Sequence, residues 1–141
     1  MATDVRPSNW PVGSGYSHGF SAEGRAIFIA GQIGWDPITL AIAPGGMPAQ
    51  VRQSLANIVT VLEAAGADTG HLVRLTWFVT DREAYLENRK AIGAAYREVI
   101  GRHFPPMSVI VVAGLLEPGA MVEIEATAVI PSDSQVNSTG A

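Results

Sequence analysis

Two acidic residues set two apart, Glu123 and Glu125, carry the clearest chemical potential in this 141-residue sequence. They fall in residues 120–130, where Val122, Ile124, Ala126 and Ala128 alternate with polar neighbours, as in a strand with one buried face. Strand alternation then projects both carboxylates from the other face, roughly 6.6 Å apart along the chain. On a solvated face they would be surface or intersubunit salt-bridge partners of small energetic weight. In a cleft between subunits, a partly desolvated carboxylate would instead hold water or accept a proton.

The other candidates are weaker alone. Ala30-Gly31-Gln32-Ile33 closes a predicted strand, where Gly31 either lets bare backbone approach a ligand or marks a simple bulge. His18 stands beside Tyr16, whereas His71 and His103 read as loop or surface histidines. The three lack ligand spacing, so no metal site is expected. Ser108 has no evident base partner for nucleophilic chemistry. The glycines of residues 13–19 precede a strand instead of opening a helix, which excludes a dinucleotide loop.

These residues need a scaffold, and the pattern supplies one. Residues 16–21 and 26–33 read as two strands joined by a turn at Gly24. A Pro- and Gly-rich loop (36–48) leads to a helix opened by Pro48, with Val51, Leu55, Ile58, Val59 and Leu62 on one stripe and Gly66 as its cap. A strand over 72–79 follows, then a second helix N-capped by Asp81 with Tyr85, Ile92, Tyr96 and Val99 inward. Strands over 107–113 and 120–130 end the domain. The expected fold is α+β, a β-β-α-β-α-β-β mixed sheet with two helices packed on one face. Residues 1–131 form a single domain and the polar residues 132–141 a flexible tail. Phe28, Phe78, Val109 and Val111 are expected on the uncovered face, and so much hydrocarbon there predicts self-association.

Composition narrows the function classes. Hydrophobic residues make up 48% and charged residues 16%, which excludes disorder. The net charge of −4 and the scattered cations argue against a nucleic-acid partner. The absence of cysteine removes thiolate chemistry and disulfides. No apolar run reaches the length of a membrane span and no secretory leader is evident, so a cytoplasmic protein with no membrane partner is expected.

Six segments together resemble the Rid (YjgF-like) family of enamine/imine deaminases. They are Gly15-Tyr16, Ala30-Gly31-Gln32-Ile33, Gln53-Ser54-Leu55-Ala56-Asn57-Ile58, Ala64-Ala65-Gly66, Phe78-Val79-Thr80-Asp81 and Val122-Glu123-Ile124-Glu125-Ala126. They span residues 11–131 in order. The resemblance implies a chorismate-mutase-like fold, a homotrimer with ligand clefts between subunits, and no cofactor. It implies a cleft lined by Tyr16, Gly31 and Glu123, with Glu123 positioning the attacking water and Tyr16 or His18 handling a proton.

The family's Pro-Ala-Arg-Ser, whose arginine clamps a substrate carboxylate, reads here Pro105-Pro106-Met107-Ser108. A thioether cannot make that bidentate pair. The expected cleft therefore combines Tyr16, His18, Gly31, Trp35, Met107, Ser108 and Glu123, and is more apolar than that of the arginine-bearing members. Asn88 falls out of register as a counterpart of the family's cleft asparagine. The implied activity is hydrolytic deamination of an enamine or imine metabolite, with members resembling 2-aminomuconate deaminase one comparison. The alternative is a trimer that binds a small metabolite without chemistry. A ribonuclease reading, from a label sometimes given to the family, is disfavoured by the acidic charge.

Overall fold

A computed structural model describes residues 2–132; the rest of the predicted tail lies outside the described residues. The chain runs β1 (Thr3–Asp4), β2 (Phe20–Ser21), β3 (Arg25–Ile33), α1 (Gly46–Ala64), a single 3₁₀ turn (Thr69–His71), β4 (Leu72–Val79), α2 (Arg82–Glu87), α3 (Arg89–Val99), β5 (Met107–Val111) and β6 (Val122–Ile130). The main sheet has the order β3-β6-β4-β5, with β4 and β5 parallel and the other pairs antiparallel. This is a mixed α+β fold, as the alternating and helical periodicities predict.

The helix α1 forms where an apolar stripe recurs at helical spacing: Met47, Val51, Leu55, Ile58 and Leu62 are all buried. Pro48 falls in its first turn, where the missing N–H has no partner to lose. Gly66, at φ 78°, ends it, with the Ala67 amide donating to the Leu62 carbonyl. The stripe packs on Ile29, Leu75, Trp77, Ile124 and Ala126 from the sheet. Each fully buried aliphatic side chain there contributes roughly 1.5–3 kcal/mol.

Four expectations need correction. Residues 16–21 do not pair with β3; only Phe20–Ser21 is a strand, and it pairs with Thr3–Asp4 of the predicted irregular lead-in. The edge of β3 is taken by β6 instead, and Gly24 is required there because a Cβ would lie 1.9 Å from the Ile130 carbonyl oxygen. The second helix is two helices, broken at Asn88 (φ −103°, ψ 11°), whose side chain donates to the Ala84 carbonyl at 2.7 Å. The strand β5 stops at Val111, short of the predicted residue 113.

The fourth correction concerns faces. Val109 and Val111 pair with Trp77 and Val79, so they lie on the helix side, whereas Ser108 and Ile110 share the other side with Thr76 and Phe78. They remain 40% and 51% exposed because β5 is an edge strand beyond the helices. Phe28, paired with Thr127, does lie on the open face and is 80% exposed.

Candidate functional site

The strand β6 presents Val122, Ile124, Ala126 and Ala128 to the core and Glu123, Glu125 and Thr127 to the open face. The two glutamates differ. Glu123 is half-buried between Ile33 and Phe78, its partners on the flanking strands, whereas Glu125 is exposed beside Thr76.

The difference arises from β3. Between Ile29 and Gln32 its pairing gains one residue against β6, a bulge at Ala30-Gly31. The bulge reading of that segment holds, and the bulge brings the bare backbone of Gly31 under Glu123. A Cβ on Gly31 would stand 2.5 Å from Glu123 Oε1 and 2.8 Å from its Cδ. Glycine there makes room for the carboxylate.

A cavity of about 250 Å³ opens beside this pair, lined by Gly31, Trp35, Leu115, Leu116, Glu117 and Glu123 among others. Its walls are pinned by two buried amides of α1 that the sequence reading did not single out as functional. Asn57 donates to the Trp35 carbonyl at 2.9 Å and the Ile33 carbonyl at 3.3 Å, and accepts from the Gln53 side chain. Gln50 donates to the Gly119 carbonyl at 3.1 Å and accepts from the Met121 amide at 2.8 Å. One fixes the exit of β3 and the other the entry of β6. The signal was available: Gln50 and Asn57 recur at helical spacing inside an apolar stripe, where a polar side chain must have work for its hydrogen bonds.

Tyr16 and His18 lie elsewhere in the protomer. They line a second cavity, of about 420 Å³, with Arg102, His103 and Phe104. The arm carrying them is folded by local contacts: the His18 Nε2–H donates to the Pro11 carbonyl at 2.9 Å, and the His18 ring meets Trp10 and Tyr16 edge-on. Adjoining hollows lead from it along the open sheet face. His18 and Phe20 also line the next one, and Arg74 and Thr127 are shared with the one beside Glu125.

The remaining candidates separate too. Met107 pairs with Leu75 and packs half-buried against the core, while Ser108 is exposed on the open side. Neither lines the cavity of Glu123 or that of Tyr16. The structure thus brings Glu123, Gly31 and Trp35 together, and Tyr16 with His18, within one protomer. His71 and His103 have structural partners: His71 Nδ1 accepts from the Asp68 amide, and His103 Nε2–H donates to the Leu72 carbonyl.

A carboxylate held over a bulge beside a small cavity can orient water against an electrophilic carbon. Similar proteins give this geometry a context. Residues 8–130 match the family model described as Endoribonuclease L-PSP. The 2-iminobutanoate/2-iminopropanoate deaminase of Salmonella typhimurium is 36% identical over 133 residues, 92% of this chain and 98% of that protein. The enzyme of the same name from Capra hircus is 36% identical over 105 residues, 74% of this chain and 73% of its own length. Among solved structures, the Yersinia pestis protein YyfB of the Rid family, of unknown function, superposes with a TM-score of 0.79 at 32% identity, covering 92% of this chain and 98% of its own. The TdcF protein of E. coli, solved with bound serine, gives a TM-score of 0.65 at 31% identity over 91% of this chain and 98% of that one. With the family model spanning the whole sheet and its helices, this chain belongs to the Rid (YjgF-like, L-PSP) family.

Proposed function

We propose that this protein is a hydrolytic deaminase of an enamine or imine metabolite, working without a cofactor in clefts between the subunits of a homotrimer. The observation that carries the reading is Glu123 folded over Gly31 in the wall of a cavity that also holds Trp35, Leu115 and Leu116. The enamine tautomerises to its imine; water held by Glu123 adds to the imine carbon; the C–N bond breaks, ammonia leaves and a carbonyl remains. Tyr16 or His18, supplied by a neighbouring subunit, hands the departing nitrogen its proton. Assembly is part of the reading because one protomer keeps Tyr16 and Glu123 in separate cavities.

Trp35, Leu115 and Leu116 give the cleft an apolar wall, and Met107 and Ser108 stand in the sequence where the resemblance puts the family's carboxylate clamp. That composition favours longer unsaturated substrates, resembling 2-aminomuconate, over the smallest imino acids. No helix among the described residues is long and apolar enough to cross a membrane, in keeping with a cytoplasmic metabolite enzyme. The net charge of −4 disfavours a nucleic-acid substrate.

A second reading, a trimer that binds a metabolite without turning it over, is favoured by one observation. Met107 packs on the core and offers no charge at the clamp position. Ammonia release separates the two. The deaminase reading expects release from a dienamine substrate, loss of roughly 10²–10⁴-fold in Glu123→Gln, and a light-scattering mass of three times 14.8 kDa for both proteins. A monomeric wild type, or full turnover by the variant, would overturn it.

A further inference from the structure

Arg102 has no function in the scheme above, yet it is the most deliberately presented cation in the fold. Gly101, at φ 93°, turns the chain out of α3, and its amide donates back to the Tyr96 carbonyl. The residues that follow are fastened one by one. The Tyr96 hydroxyl donates to the His103 carbonyl at 2.6 Å, His103 Nε2–H to the Leu72 carbonyl at 2.7 Å, and the Ser17 hydroxyl to the Phe104 carbonyl at 2.7 Å. Phe104 stacks on Tyr96 with ring centroids 5.4 Å apart, and His103 lies against Phe20 at 5.8 Å. The backbone next to Arg102 is pinned by these contacts, and Arg102 lines the 420 Å³ cavity with Tyr16 and His18.

Two cations line that cavity, and Arg102 is the one whose donors are uncommitted. Arg6, also in the lining, donates its guanidinium to the Trp10 and Pro7 carbonyls. Arg102 takes part in none of the ion pairs among the described residues, which join Arg52 to Glu98, His71 to Asp68 and Arg82 to Glu83. Asp4 is the one carboxylate in the lining, against two arginines. The walls are flat rings: Tyr16, His18, Phe20, His103 and Phe104. A free guanidinium at the rim of an aromatic slot matches a planar anion, whose carboxylate takes two parallel N–H donors while its conjugated body lies on the rings.

We propose that this cavity is a subsite for a planar, unsaturated carboxylate, with Arg102 as its ion-pairing group. The inference deepens the deaminase reading, on which its physiological ligand rests, by giving the substrate a cation at a position other than Met107. Its test reads binding alone.

The probe is sorbate, a six-carbon conjugated carboxylate, titrated calorimetrically into the full-length protein in its native assembly. Sorbyl alcohol and inorganic phosphate are run alongside. Wild type binds sorbate; Arg102→Gln weakens it at least tenfold, while Arg97→Gln on α3 leaves it unchanged. Sorbyl alcohol binds at least tenfold more weakly than sorbate, and so does phosphate. Equal sorbate affinity in wild type and Arg102→Gln overturns the proposal, as does binding of the alcohol or of phosphate as tight as that of sorbate. Loss of sorbate binding in Arg102→Gln together with full ammonia release by Glu123→Gln would leave the subsite standing and the deaminase mechanism refuted; the opposite pair of results would do the reverse.

Discussion

The two cavities are built in opposite ways. The one at Glu123 is mounted on the sheet: its carboxylate comes from a central strand, its glycine from a bulge on the next strand, and its walls are tied to buried amides of α1. The one at Tyr16 and Arg102 is mounted on irregular backbone, held by hydrogen bonds onto carbonyls and by ring contacts. Strand and helix lock side chains through the hydrophobic core. Loop sites are locked piecemeal, each residue by its own partner. The first kind of site should therefore fail through geometry at the reacting atoms, and the second through loss of order in a short segment.

The sharpest test of that contrast lies in two glycines near the first cavity. At Gly31 an added methyl meets the far end of the Glu123 side chain, which can swing away. Gly31→Ala should keep folding stability within about 1 kcal/mol while displacing the carboxylate, lowering turnover roughly 10²-fold. At Gly34 the added methyl meets the backbone of Gln50, 2.5 Å from its Cα, and α1 cannot yield. Gly34→Ala should cost about 3 kcal/mol or more, read by urea denaturation. Equal effects on stability would erase the distinction between a site residue and a packing residue.

A smaller effect is expected from the buried amides. Asn57→Ala leaves the Ile33 and Trp35 carbonyls without their donor and should destabilise the fold by about 1–3 kcal/mol. Turnover should fall with it, because the Trp35 wall is released. Loss of stability with turnover intact would show that the β3 exit does not shape the cavity.

The smallest effect belongs to the loop site. Burial holds the Tyr96 phenol well above its ordinary value of 10.0, since the charged phenolate is poorly solvated there. A raised folded-state value contributes stability that is complete below pH 10 and is lost as pH climbs above it, where the unfolded chain gives up its proton first. Tyr96→Phe should lose about 1 kcal/mol with the hydrogen bond to His103, and its stability should decline less steeply as the pH rises above about 10. An unchanged slope would assign the alkaline decline to Tyr85, which burial also raises.

The same contrast explains what could be read from the sequence. Periodicity located α1, β4 and β6 and the face of Glu123, because the core enforces period 3.6 or 2 along those segments. It failed where the core has no say. The Tyr16 segment alternates like a strand, yet Gly13 and Gly15 let the chain fold back on itself, and hydrogen bonds to Pro11 and Phe104 decide its path. For Val109 and Val111, a strand with apolar residues on both faces carries too little alternation for a face to be read, so only the register with β4 places them. Arg102 was invisible as a site residue for a related reason: most of the residues that share its cavity lie between residues 4 and 20, far away in sequence.

The bulge at Ala30-Gly31 also bears on how such a chain can vary over generations. In a regular strand, removing one residue turns every following side chain over, and the core is lost with it. In β3 the extra residue sits after Ile27 and Ile29 have been delivered to the core, and the pairing with β6 resumes at Gln32. Deleting it would straighten the strand and draw Gly31 from beneath Glu123, while the residues before it keep their places. The corner at Glu123 can thus be unmade, and made again, by the gain or loss of a single codon without trading away the fold that carries it.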